Sequence, residues 1–166
     1  MAGALIVTAE IALGDFSWLE ALRRAHYPSE RNRVAAHLTM FRTLPPSAET
    51  ALRSRLGGTV RGRTTKATIA GLMDLGGGVA FRVVSPDLDA VRDELADALH
   101  GLLGAQDSGG WRPHITIQNK VAPKVARALK ASLEESFQPR PLSIAGLAIH
   151  RYLDGPWERI ATYPFR

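Results

Sequence analysis

Val34-Ala35-Ala36-His37-Leu38-Thr39-Met40-Phe41 and Pro113-His114-Ile115-Thr116-Ile117-Gln118, whose histidines stand 77 positions apart, are the stretches that decide the fold. Each is a short apolar run of the kind that forms a strand. Side chains alternate across a strand, so His37 and Thr39 share one face while Leu38 and Met40 enter the core. In the same way His114 and Thr116 share a face, and Ile115 and Ile117 are buried. Each stretch thus offers an imidazole beside a hydroxyl. A lone His-x-Thr says almost nothing; two of them at matching places in two halves of a chain say a great deal.

The surroundings of the two stretches match as well. Alternation and β-branched content predict strands at 4–11, 34–41, 65–73, 78–85, 113–119, 142–152 and 158–165. Helical periodicity predicts helices at 15–25, 47–56, 87–103 and 123–136. Helix starts are marked by Ser47 after Pro45-Pro46, by Ser85-Pro86-Asp87 and by Ala122-Pro123; Gly57-Gly58 and Gly101 are expected to end helices. Hairpins are expected at Asp74-Leu75-Gly76-Gly77-Gly78 and Leu153-Asp154-Gly155-Pro156-Trp157. The glycine cluster has no following helix or Lys-Ser/Thr, so it reads as a turn and not as a phosphate cradle. A helix, a His-x-Thr strand, a second helix and a hairpin come in that order twice, an approximate internal duplication within one α+β domain spanning 1–166. If the halves are related by a pseudo-two-fold, the two His/Thr faces line one central cleft.

Composition bounds what that cleft meets. Hydrophobic residues make up 45% and charged residues 22% of 166, the balance of a soluble globular chain of ordinary domain size. Cysteine is absent, which removes disulfides, thiolate zinc sites and cysteine nucleophiles. Lys+Arg outnumber Asp+Glu by 21 to 16, a mild bias toward an anionic partner such as nucleic acid. Ala4-Leu5-Ile6-Val7-Thr8-Ala9-Glu10-Ile11 lacks a basic lead-in and reads as a strand and not as a signal peptide; no membrane partner is expected, and the chain is read as a cytoplasmic monomer.

Two imidazoles and two hydroxyls converging on one cleft suit an in-line displacement at phosphorus. The attacking oxygen must lose a proton and the leaving oxygen must gain one, on opposite sides of the phosphorus. An imidazole titrates near ~6.5, so modest environmental shifts hold one neutral and its partner charged. The hydroxyls of Thr39 and Thr116 can donate to the non-bridging oxygens where charge accumulates. Metal binding is disfavoured, because threonine is a poor ligand and no carboxylate accompanies either strand.

The paired His-x-Thr strands, together with Asp154-Gly155-Pro156-Trp157 before the last strand, resemble the 2H phosphoesterase superfamily, and within it the bacterial 2′-5′ RNA ligase-like family. The resemblance runs from the first strand to Tyr163-Pro164-Phe165. It implies two lobes of antiparallel sheet with helices outside, His37 and His114 as the acid/base pair, and Thr39 and Thr116 as phosphate ligands. It also implies RNA or nucleotide ends with 2′,3′-cyclic phosphate or 2′-5′ linkages as substrates, opened by water or resealed by a 5′-hydroxyl. No cofactor is expected: there is no P-loop, and Lys66-Ala67-Thr68-Ile69 lacks the Lys-x-Asp-Gly pattern of adenylating ligases.

Relatives often carry arginine five residues after the motif histidine. Arg42 stands there in the first motif and Asn119, followed by Lys120, in the second. Strict alternation puts Gln118 and Lys120 on the face of His114, which makes Lys120 the preferred cationic contact to substrate, and gives Arg42 the wrong parity unless its strand ends or bulges by then. Phe41 shares the face of His37 and reads equally as a candidate for stacking on a nucleobase or as plain packing. His26, in Arg23-Arg24-Ala25-His26-Tyr27-Pro28, and His100 are explained by helix ends, where cationic side chains are favourable. His150 reads as part of a solvated sheet face, with a place near the cleft as the alternative, and Ser29-Glu30-Arg31-Asn32-Arg33 as a solvated charge run or a basic loop near the first motif. A non-catalytic RNA-binding module and a phosphoesterase for a small cyclic-phosphate metabolite are the alternative functions.

Overall fold

The computed structural model describes residues 3–166. Seven antiparallel strands form one sheet: β1 (Leu5–Ile11), β2 (Leu38–Leu44), β3 (Lys66–Asp74), β4 (Val79–Val84), β5 (His114–Gln118), β6 (Arg140–Tyr152) and β7 (Trp157–Pro164). The helices are α1 (Leu13–His26), α2 (Glu49–Thr59), α3 (Pro86–Ala98), α4 (Ala105–Ser108) and α5 (Pro123–Glu134). The hydrogen-bonded order is β2-β1-β6-β3-β4-β5, with β7 on β6.

The long strand β6 divides this sheet into two halves. Its first residues, Arg140–Ser143, pair with β3, whereas Ile144–Arg151 pair with β1 and Gly146–Tyr152 with β7. Counting β6 twice, each half has four strands, so the two lobes that the resemblance implies are halves of one continuous sheet. The strands β2 and β5 lie at opposite ends of the order, yet the curved sheet brings them face to face: the Trp111 indole, three residues before His114, donates to the Thr39 carbonyl at 3.1 Å.

Local chemistry accounts for the element ends. Ser85 Oγ accepts from Leu88 N at 3.0 Å to cap α3, whose first residue is Pro86. Asp15 in the first turn of α1 accepts from Ser143 N at 2.8 Å, tying the helix to the middle of β6. Leu153-Asp154-Gly155-Pro156 is a tight hairpin with positive φ at Asp154 and Gly155, the requirement that Asp-Gly satisfies. At Gly78 a side chain would collide with the backbone of Gln118, so the β3–β4 hairpin can approach β5 only with glycine there.

Several boundaries differ from expectation. The second strand starts at Leu38, not 34, because the chain bends before the motif and leaves His37 at the strand's doorstep. Helix α2 continues through Gly57-Gly58 to Thr59, since Leu52, Leu56 and Thr59 are all buried and tertiary packing outweighs the glycine penalty. Helix α3 stops at Ala98 and the chain reverses through Gly101, at φ 88°, before the single-turn α4. That short turn has no periodicity to announce it.

Candidate functional site

The bend before each motif strand sets the imidazole. His37 Nδ1 lies 2.8 Å from the Ala35 carbonyl oxygen, and His114 Nδ1 lies 2.7 Å from that of Arg112. A carbonyl can only accept, so Nδ1 carries the proton in both rings and Nε2 is left free. Each bond runs to the residue two positions back. Both rings line one cavity of about 650 Å³, together with Thr39 and Thr116. This volume lies within the ~300–1,000 Å³ typical of small-molecule sites.

Register slips decide which neighbours of the motifs join them. Thr8 pairs with Thr39, but Val7 pairs with Phe41, so β2 has one more residue than β1 at Met40. Ala80 pairs with Thr116, but Val79 pairs with Gln118, so β5 has the same extra residue at Ile117. An inserted residue reverses the alternation beyond it. Phe41 and Gln118 therefore do not face the cavity: they are 0% and 3% exposed. Phe41 lies in the core with the Arg92 guanidinium 4.1 Å from its ring centroid, and does not offer a face to a base. Gln118 is likewise removed from the site, and Lys120, exposed and at φ 62°, is not among the cavity's residues.

The next residue along is brought in instead. Arg42 and Asn119 both line the cavity. A second slip in β2, between the Val7 and Leu5 pairings, exposes both Arg42 and Thr43, and the buried Asp107 carboxylate accepts their two backbone N–H groups at 2.8 and 2.9 Å. Asn119 Oδ1 accepts from Lys120 N at 2.9 Å, which leaves Nδ2 as the donor of this amide.

A family model, the 2′-5′ RNA ligase superfamily, matches residues 12–156. The chain belongs to this superfamily. No curated protein matches it in sequence. Among solved structures it is similar to TT0787 of Thermus thermophilus, with TM-score 0.69, 16% identity and 98% of each chain covered. It is also similar to E. coli LigT complexed with 3′-AMP, with TM-score 0.59, 16% identity and 99% of each chain covered. A phosphoesterase structure matches with TM-score 0.64 at 16% identity over 99% of each chain.

In this superfamily member the two histidines are not equivalent. The Trp157 ring lies 4.6 Å from His37, centroid to centroid, and 5.5 Å from His150. Burial holds the His37 imidazole down at about 4; the Ala35 carbonyl works against this, while Arg23, His150 and His114 add to it. His150 is also lowered to about 4, by burial first and then by Arg159. It is half-buried with Nε2 2.8 Å from Thr8 Oγ1, so the solvated sheet face expected for it is not found: β7 and Trp157 cover it.

Two arginines cross between the halves. Arg23 of α1 donates from Nη1 to the Thr116 carbonyl at 3.0 Å and from Nε to Asn32 Oδ1 at 2.9 Å. Arg92 of α3 donates from Nε to the Met40 carbonyl at 2.8 Å and from Nη2 to the Asp107 carbonyl at 2.8 Å. Each half thus holds the motif strand of the other. Both guanidiniums are buried, and burial lowers both pKa values. From sequence Arg23 reads only as one of several cations favourable at the end of α1, and its burial against Thr116 is what the fold adds. Trp157 and Asn119 were quoted for turn and motif position without a place in the site. Among the described residues no group of three or more His, Cys, Asp or Glu side chains is placed to hold a metal ion.

Proposed function

We propose that this protein opens 2′,3′-cyclic phosphates at RNA or nucleotide ends, and reseals them in reverse, through His37 and His114. The observation that carries the proposal is the pair of free Nε2 atoms presented to one cavity by matching Nδ1–H bonds to Ala35 and Arg112. E. coli LigT, similar in fold, has been crystallised with 3′-AMP, NADP+, ATP and phosphate, which supports a phosphorylated nucleotide as the ligand class.

His37, held neutral by its burial, is the base: its Nε2 takes a proton from water as the water oxygen bonds to phosphorus. The bond from phosphorus to one ribose oxygen breaks, and His114, which the step requires as the imidazolium with a second proton on Nε2, gives that proton to the oxygen. Thr39 and Thr116 hydroxyls and the Arg42 guanidinium take the non-bridging oxygens as charge develops on them. In the resealing direction a 5′-hydroxyl replaces water. As written, the chemistry needs neither metal nor nucleotide cofactor. Incubating the protein with nucleoside 2′,3′-cyclic phosphates and with short cyclic-ended RNA tests the proposal; turnover of at least one is expected, and turnover of none would overturn it.

A further inference from the structure

Behind Trp157 lies a second cavity of about 260 Å³ that shares His37 and Trp157 with the first. It is too small for a whole nucleotide by the measure of ordinary ligand sites, but has room for one planar ring. Its lining is mixed in a specific way. Phe16 and Trp157 are aromatic, Arg33 and Arg159 are cationic and exposed, and Glu10 contributes a carboxylate. Glu10 Oε2 accepts one long bond from Arg159 Nη2 at 3.3 Å, while Oε1, with Arg159 Nη1 at 3.2 Å but out of line, accepts none among the described residues. Oε1 is buried against Arg159, so it is Oε2, with one bond made, that has capacity left for a second donor.

We infer that this cavity is a second subsite, which takes the base of the nucleotide preceding the cyclic end, so that the substrate is an oligonucleotide and not a mononucleotide. The inference rests on the function proposed above. The first cavity is large enough for the reacting nucleotide, and the shared wall of His37 and Trp157 makes the second its immediate neighbour. A base there meets aromatic side chains, which favour any base, and presents its N–H edge to Glu10. The phosphate joining the two nucleotides is left near the rim, where Arg33 and Arg159 supply charge.

The test compares a cyclic-ended dinucleotide with the same dinucleotide made abasic at its first residue. Stacking of one base predicts a kcat/KM advantage of about tenfold for the intact dinucleotide. Glu10→Gln and Phe16→Leu are each expected to shrink that ratio below about threefold. In parallel, calorimetric titration with the two dinucleotide 3′-phosphates reads the same preference as Kd without any turnover, so that failure of the proposed chemistry stays distinguishable from failure of the subsite. Equal kcat/KM and equal Kd for the intact and abasic compounds, or a ratio untouched by both substitutions, would overturn the subsite.

Discussion

Phe41 and Gln118 occupy equivalent positions in the two halves, each two residues beyond a motif threonine and each turned into the interior by a one-residue slip in its strand. The consequence falls on the residues after them, Arg42 and Asn119, which face the cavity. A bulge that re-aims a side chain beside a site is a recurrent use of that device. Here it occurs on both sides of one cleft.

Arg42 and Asn119, and not Lys120, are therefore expected to matter for substrate. Arg42→Ala is expected to reduce kcat/KM by about tenfold or more, as loss of a charge-assisted contact of ~1.5–3 kcal/mol would. Asn119→Ala is expected to act in the same direction more weakly, and Lys120→Ala to stay within about twofold. Steady-state kinetics on a cyclic-ended substrate reads all three.

The pH dependence follows from His37. Its base form persists as pH falls until about 4, so the acid limb of kcat/KM, which reports the free enzyme, is expected well below the ordinary imidazole value of 6.5. Trp157→Ala opens His37 to water and is expected to move that limb up toward 6.5. An acid limb that stays in place in Trp157→Ala would show that the indole does not set it.

The same shifts bear on stability. For His37 and His150 the folded pKa lies below the unfolded value of 6.5, so the unfolded chain binds more protons between about 4 and 6.5. Stability is expected to fall as pH drops through that window and to be fully present above it. His150→Gln removes one of the two groups, and a urea-melt series from pH 7 to 4 is expected to show a shallower decline in that variant.

The crossed arginines and Gly78 test the frame. Arg23→Ala and Arg92→Ala each remove two hydrogen bonds from a buried cation, and each is expected to destabilise the fold by about 2–4 kcal/mol. Gly78→Ala places a methyl group against the Gln118 backbone and is expected to cost at least ~2 kcal/mol. Denaturant midpoints measure all three.

What the sequence could tell was set by period and pairing. Two His-x-Thr runs in repeated surroundings were enough for the order of the strands and of the four longer helices, for the convergence of four side chains on one cavity, and for the superfamily. Alternation alone then misplaced Phe41, Gln118 and Lys120, because a slip is a property of two paired strands and leaves no mark in one of them. Arg42 depended on such a bulge, and the slip in β2 supplies it. Arg23, Arg92 and Trp157 escaped for a related reason: their partners, Thr116, Met40 and His37, lie 93, 52 and 120 positions away, and only the fold brings them together.

The most direct measurement of the central claim is single-turnover cleavage of a cyclic-ended oligonucleotide by the wild-type protein, His37→Ala and His114→Ala. Each substitution is expected to slow the chemical step by at least ~10²-fold, and the double variant to be little slower than either, since the two act as a unit. A wild-type rate retained in either single variant would contradict the account.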